Sequence, residues 1–182
     1  MKQNHILLCA LLFICASAQA YDESSTVFFD VTGTIDAVSC NVAVLPSDNI
    51  NLGTIGTQYL KGRPGGNGPY TLVSLQFSGC TDNIASATIT FSGDPYDATY
   101  TMIYKNKISG ESAAGGVGLQ LFTSTEGGQT FAPLGNGDAY EFPFIKDADS
   151  NTFKMIARLY TPYGDVTGGQ FSTTVTFNVS YK

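Results

Sequence analysis

Beyond residue 20 the chain lacks the side chains on which most enzyme chemistry depends. The 182 residues contain no tryptophan and a single histidine, His5, which lies near the N-terminus. The remainder has no imidazole for Ser-His-Asp or Cys-His catalysis or for metal ligation. Glycoside hydrolysis needs only two carboxylates, but the acids here lie mostly in turn-like segments such as Asp94-Pro95. The sequence therefore predicts no catalytic residue, no metal and no cofactor.

Long apolar runs are also scarce, and the one that exists lies at the N-terminus. Lys2 precedes the apolar stretch from Ile6 to Ala16, and Ala18-Gln19-Ala20 has the pattern of a signal-peptidase site. The stretch is too short to span a bilayer. We predict that residues 1–20 are a signal peptide, that the exported chain begins at Tyr21, and that it has no membrane span.

Cysteines are few, and half of them are expected to leave with the signal peptide. Of the four cysteines, Cys9 and Cys15 belong to residues 1–20. An isolated pair in an exported protein favours a disulfide, so Cys40 and Cys80 are predicted to be joined. Closing a loop of about 40 residues would stabilise the fold by roughly 4 kcal/mol.

Basic residues are too few for a nucleic-acid partner. Once Lys2 is removed, eight basic residues remain against fifteen acidic ones, which gives a net charge of −7. The sequence has no basic patch, so we predict no binding to nucleic acid.

The rest of the sequence has the pattern of an all-β protein. Short runs rich in Thr, Val, Phe, Tyr and Ile are separated by Gly, Pro, Asn and Asp, as in a β-sandwich or barrel. The Gly- and Pro-rich segment 62–69 is predicted to be a surface loop. Strands are predicted at roughly 26–38, 40–45, 49–55, 70–78, 86–92, 99–104, 117–123, 129–134, 140–145, 152–162 and 171–181.

The clearest of these strands is the last one. From residue 171 the odd positions are large and apolar, with the exception of Thr173, and the even positions are polar. This period-2 alternation predicts a strand with one buried face. The apolar positions are Phe171, Val175, Phe177, Val179 and Tyr181, and Lys182 follows.

A second alternating run follows the signal peptide. The register that points even positions inward would bury the charge of Asp30 without a partner, at a cost of several kcal/mol. The inward positions are therefore Val27, Phe29, Val31, Gly33 and Ile35. Gly33 interrupts the apolar series, which indicates a close approach to the backbone beneath it. Periodicity leaves two alternatives open: the strand pairs within its own sandwich, or it adds to the sheet of another subunit.

Four segments, taken in order, carry a resemblance to a known family. They are Val31 to Ile35 followed by Cys40-Asn41-Val42, Leu72 to Cys80, Gly116 to Leu121, and Ala157 to Tyr160 followed by Gly168-Gly169 and the alternating strand with Tyr181. Together they cover almost all of residues 27–182, and their order and spacing resemble pilin subunits of the chaperone–usher family, close to type 1 fimbrial subunits.

The resemblance implies an all-β fold, an incomplete immunoglobulin-like sandwich that lacks its final strand. Residues 21–35 would be an N-terminal donor-strand extension, with Val27, Phe29, Val31, Gly33 and Ile35 as donor positions, and residues 36–182 would be the pilin domain. A hydrophobic groove would lie beside the last strand. Its edge would be formed by Val175, Phe177, Val179, Tyr181 and the terminal carboxylate of Lys182.

The same resemblance implies a function and a set of partners. A periplasmic chaperone would lend a strand to the groove and hold the carboxylate with basic side chains. At an outer-membrane usher, the extension of a neighbouring pilin subunit would replace the chaperone strand. The expected protein is a structural subunit of an adhesive fimbrium on the cell surface, either in the shaft or as an adaptor.

The alternative is a free secreted sandwich, such as a single-domain sugar-binding lectin. Its sugar-stacking residues would be Tyr96, Tyr100, Tyr104 and Tyr163. Such a lectin should fold alone as a monomer, whereas an incomplete sandwich should not.

Overall fold

Alternation of buried and exposed side chains marks parts of several strands. In the strand Ser150–Thr161, for example, Phe153 and Met155 are buried whereas Lys154 between them is exposed. The computed structural model describes residues 39–124 and 132–182. Their elements are β1 (Asn41–Leu45), a 3-10 helix (Thr57–Tyr59), β2 (Gly66–Ser78), β3 (Ser86–Ser92), β4 (Ile103–Lys105), β5 (Gly118–Thr123), β6 (Ala139–Pro143), β7 (Ser150–Thr161) and β8 (Thr176–Tyr181).

The strands form two antiparallel sheets. One has the order β1-β2-β7-β5-β4 and the other the order β6-β3-β8. Residues of both sheets share one core, in which Leu75 and Phe77 of β2 and Ile89 and Phe91 of β3 are fully buried. The rings of Phe91 and Phe153, which belong to different sheets, lie 6.3 Å apart between centroids. The described residues therefore form a two-layer sandwich.

A disulfide joins the start of β1 to the segment after β2. It links Cys40 to Cys80, next to the ladder in which Asn41 lies opposite Ser78. Both the predicted disulfide and the predicted all-β sandwich are confirmed.

The predicted strand at 49–55 is wrong. No strand is present there, because none of the described strands pairs with this segment. The side chains of Ile50 and Leu52 nevertheless pack against the core. The alternation was thus a correct indication of which side chains face inward, although it did not show whether the backbone has a partner.

Two further boundaries differ from the sequence expectation. β2 begins at Gly66, inside the predicted loop, and its ladder with β7 shifts register between Asn67 and Tyr70. This irregularity accommodates Pro69, which has no N–H to donate. The predicted strand at 99–104 shortens to β4, because Asp97 accepts hydrogen bonds from the backbone of Thr99 and Tyr100 and forms a turn. The predicted strand at 26–38 lies outside the described residues.

Candidate functional site

The last strand has a partner on one edge only. β8 pairs with β3, and the Lys182 N–H donates to the Ser86 carbonyl at 3.0 Å while the Ser86 N–H donates back at 3.2 Å. In an antiparallel ladder this reciprocal pattern recurs at every second residue. The even-numbered residues of β8 therefore direct their backbone groups toward β3. The odd-numbered residues direct theirs toward the opposite edge, where the described residues supply no strand.

The same odd-numbered residues turn their side chains inward. Exposure alternates without a break from residue 171 to residue 182, with the odd positions half-buried and the even positions exposed. The free backbone edge and the apolar face thus belong to the same residues, which are Phe171, Thr173, Val175, Phe177, Val179 and Tyr181.

A groove of about 880 Å³ runs along this free edge. One wall is formed by Phe171–Phe177 and the other by Asn49–Ile55. Apolar side chains of three strands of the larger sheet form the floor, and a smaller apolar cluster closes one end. The floor contains Val73, Leu119, Leu121, Ala157 and Leu159, and the end contains Leu60, Val117 and Val166. Asp48 is the only charged residue among the described ones that line the groove.

The wall at 49–55 is held by local hydrogen bonds and not by a strand ladder. The Ser47 hydroxyl donates to the carbonyl of Asn49 and accepts from its N–H. The Asn51 side chain accepts from the Gly53 N–H at 2.8 Å, and Gly53 has a φ of 73°. Such side-chain turns replace backbone pairing. The backbone of this segment therefore has no strand partner among the described residues along the groove.

Asn106 helps to hold the start of the wall that Phe171–Phe177 form. Its amide nitrogen donates to the carbonyls of Ala114 and Gln170, at 3.0 and 2.9 Å. Its oxygen accepts from the N–H groups of Ile108 and Ser172. Together with backbone hydrogen bonds from Ala114 to Gln170 and from Lys107 to Ser172, this amide side chain holds residues 170–172 in place. Sequence reasoning missed Asn106, because no periodic pattern marks a long-range bond of this kind.

The predicted edge residues separate into two groups. Val175 and Phe177 line the groove. Val179 and Tyr181 pack against the core farther along β8, and the Tyr181 ring lies 6.5 Å from that of Phe77. The missed lining residues are Ile50, Leu52 and Ile55 of the second wall and Thr173 of the first.

Lys182 lies at the end of β8, beyond the groove. Its carbonyl oxygen accepts hydrogen bonds from the N–H groups of Ala85 and Ser86. Its ammonium lies 3.5 Å from Glu141, and both side chains are exposed, so this pair contributes little to stability. The roles predicted for the edge residues stay predictions, and the five donor positions from Val27 to Ile35 lie outside the described residues.

The tyrosines considered for sugar stacking are accounted for by local structure. The Tyr163 hydroxyl donates to Asp97 at 3.0 Å, and its ring packs edge-on against Tyr100 at 5.2 Å. Hydrogen bonds from the Tyr100 N–H, and then from Thr99 and Tyr163, lower the pKa of Asp97. Tyr104 is fully buried and donates to the Leu134 carbonyl, and burial raises its pKa. Both carboxylate oxygens of Asp97 thus accept hydrogen bonds from neighbouring residues.

Neither a metal centre nor a membrane-spanning helix is found in the part of the chain that the structure describes. Residues 39–124 and 132–182 contain no group of three or more His, Cys, Asp or Glu placed to hold a metal. Within the same ranges, no helix has the length and hydropathy needed to cross a membrane.

The fold resembles solved structures of pilus proteins. A type I fimbria protein and antigen of Burkholderia pseudomallei is 25% identical, with a TM-score of 0.54 over 80% of this chain and 91% of that one. The P pilus rod subunit PapA is 18% identical, with a TM-score of 0.60 over 86% and 99%. A subunit of a chaperone–usher pilus is 16% identical, with a TM-score of 0.60 over 87% and 97%. The last two likenesses concern the fold.

The family assignment comes from the sequence itself. A search of curated protein sequences gives no match. A family model described as fimbrial protein matches residues 29–182, which is most of the chain. The two-sheet sandwich, the disulfide and the groove are compatible with that match. The chain belongs to the fimbrial protein family and is a pilin-type subunit of a cell-surface fimbrium.

Proposed function

We propose that this subunit is joined to its neighbours by donor-strand exchange, in the groove beside β8. An extended segment of another subunit fills the groove and pairs with the free edge. The observation that carries the proposal is the coincidence of an apolar groove with an unpaired strand edge formed by the same residues. The protein then acts as a shaft or adaptor subunit that supports adhesion by the fimbrium.

The physical case begins with the exposed edge. Odd-numbered residues of β8 carry free backbone N–H and C=O groups beside apolar side chains, and such an edge is a template for pairing with another chain. A large apolar surface open to water also favours association. An added strand would pair the backbone groups and cover Val175 and Phe177 at the same time.

The N-terminal extension of a neighbouring subunit has the right pattern and length to be that strand. Its odd positions from Val27 to Ile35 are apolar apart from Gly33. Nine residues of strand span about 30 Å, and the free edge from Phe171 to Val179, of which Phe171–Phe177 line the groove, also contains nine residues. A subunit with both a groove and an intact donor pattern can accept one neighbour and join to the next, which suits a position inside the fibre.

Before assembly, a periplasmic chaperone would cover the groove with a strand of its own. The terminal carboxylate of Lys182 lies at the far end of β8, where basic side chains of the chaperone would hold it. The Lys182 ammonium adds positive charge there, and the nearby Glu141 offsets part of it. An outer-membrane usher would then exchange the chaperone strand for residues 21–35 of the incoming subunit.

A pair of single-residue variants of the full chain tests this mechanism. Phe29→Ala removes an inward-facing donor side chain, and Phe28→Ala removes its neighbour on the outer face. Each chain is produced in a bacterial periplasm with a pilus chaperone, and both chaperone binding and the yield of subunit polymers are measured.

The expected result is selective. Phe29→Ala should reduce subunit joining at least about tenfold, since burying a Phe side chain is worth several kcal/mol, and should leave chaperone binding intact. Phe28→Ala should leave both intact. Loss of both functions in Phe29→Ala, or a wild-type chain that stays a stable monomer without chaperone, would contradict the proposal.

A further inference from the structure

Thr173 interrupts the apolar series of the groove wall. Its side chain lines the groove between Phe171 and Val175. Its Oγ1 is buried and has no hydrogen-bond partner within residues 39–124 and 132–182. The only other such hydroxyl in these ranges is that of Thr88, on β3, which does not line the groove. The Thr173 hydroxyl is also closed off from water, so a group brought by an incoming strand is what could still satisfy it.

The residue placed opposite Thr173 decides whether that hydroxyl can be satisfied. A large apolar side chain would offer the hydroxyl no hydrogen-bond partner, and a buried hydroxyl that stays unsatisfied is costly. A glycine leaves room for a water molecule, or for the hydroxyl to reach the incoming backbone. The donor series contains one such residue, Gly33.

We propose that the Thr173 hydroxyl selects the register of the incoming strand, and that Gly33 of a second copy of this chain lies opposite it. This inference rests on the proposed function, since it concerns the register in which the groove binds a donor strand. It makes Thr173 a specificity-determining residue of the groove.

The remaining side chains agree with this register. In an antiparallel pair with Gly33 opposite Thr173, every other donor position meets an apolar residue of the free edge. The pairs are Ile35 with Phe171, Val31 with Val175, Phe29 with Phe177, and Val27 with Val179. A parallel pair with the same central match would bring Ser39 opposite Val179.

Shifted registers lose this match. A slip by two residues places Val31 or Ile35 over the hydroxyl and leaves Gly33 opposite Phe171 or Val175. A slip by one residue turns Asp30 inward. The matched register is therefore the only antiparallel one in which the glycine and the hydroxyl compensate each other.

Cross-strand disulfides can measure the register directly. Even-numbered residues of β8 would form the non-hydrogen-bonded pairs with the donor strand, in which Cα atoms lie about 4.5 Å apart and a disulfide is allowed. Thr174 is exposed. In the proposed register it lies opposite Thr32, whereas Asp30 and Thr34 would face it only after a slip by two residues.

The experiment compares three double variants of the full chain, assembled in an oxidising periplasm. They are Thr32→Cys, Asp30→Cys and Thr34→Cys, each combined with Thr174→Cys, and covalent dimers and longer ladders are quantified on non-reducing gels. The Thr32 pair should give at least about tenfold more covalent dimer than either shifted pair, given the cost of an unsatisfied hydroxyl.

Substitutions of Thr173 test whether the hydroxyl is the cause. Thr173→Val keeps the shape and removes the hydroxyl, so the preference for the Thr32 pair should fall about tenfold. Thr173→Ser keeps the hydroxyl and should keep the preference. Thermal unfolding and the Cys40–Cys80 bond verify that each variant is folded.

The outcomes separate this inference from the proposed function. Dimers that form mainly through a shifted pair, or an unchanged preference in Thr173→Val, overturn the inference and leave strand exchange standing. Disulfides within single chains show that the segment does not come from a second copy, which also overturns it. A folded chain that stays monomeric with no cross-link in any variant overturns the proposed function itself.

Discussion

The two ends of the sandwich both contain buried apolar side chains, but their packing is very different. At the closed end, defined here by Phe77, Phe142, Phe144, Phe153 and Tyr181, aromatic rings fill the space. Phe77 lies 5.9 Å from Phe142 and 5.2 Å from Phe144 between ring centroids, and it is fully buried. At the open end, the groove of about 880 Å³ lies between β8 and residues 49–55.

The difference between the two ends comes from strand coverage. At the closed end, β3 has β6 on one side and β8 on the other, so both sheets are continuous over the rings. At the open end, the edge of β8 and the 49–55 wall face each other, and no strand of the described residues lies between them. The two ends therefore differ in backbone pairing as well as in side chains.

The largest expected effect comes from emptying the closed end. Phe77→Ala should lower the free energy of unfolding by about 3–5 kcal/mol, because the surrounding rings leave a cavity. Val175→Ala in the groove should cost less than about 1.5 kcal/mol, since its side chain is only half-buried and no closed cavity forms. Denaturant unfolding of the full chain measures both values. Equal losses would show that the two ends do not differ in packing.

A smaller effect should follow from loosening one wall of the open end. Asn106→Ala leaves the N–H groups of Ile108 and Ser172 without their acceptor, which should cost about 1–3 kcal/mol. Hydrogen exchange at these two amides should become faster.

Asn106→Asp is the matched variant for this change. It keeps the accepting oxygen, so protection of both amides should survive, while the two bonds donated to Ala114 and Gln170 are lost. If Asn106→Ala leaves exchange at Ser172 unchanged, the wall is held by other contacts.

Sequence alternation was sufficient to predict a strand where the described residues supply both strands of a ladder. The alternating pattern of β8 from residue 176 identified its inward and outward faces correctly, and the expectation of export led to the correct prediction of the bond between Cys40 and Cys80. These features depend on local periodicity or on composition, which a single sequence displays directly.

Alternation failed where the partner strand is missing from the described residues. Residues 49–55 and 171–175 have strand-like patterns but belong to no ladder, because a strand is defined by its hydrogen bonds as well as by its side chains. The hydrogen bonds of Asn106 and the unpartnered Thr173 hydroxyl could not be predicted from the sequence either. Both depend on which distant segments the fold brings together.

The smallest expected effect concerns the loop that contains Tyr96, Asp97 and Tyr100, which belongs to neither end of the sandwich. Asp97 has a pKa below its ordinary value of 3.8 because it accepts hydrogen bonds from Tyr100, Thr99 and Tyr163. A lowered pKa in the folded state means that the carboxylate stabilises the fold above pH 3.8, and this contribution is lost as the pH falls through the folded pKa. Asp97→Asn should therefore flatten the acid side of a plot of unfolding temperature against pH.

Asp97→Asn should not change subunit joining, because Asp97 does not line the groove. A loss of joining in Asp97→Asn would mean that the loop takes part in the contact between subunits. Subunit assembly would then depend on this loop as well as on the open end, while the closed end would still determine stability.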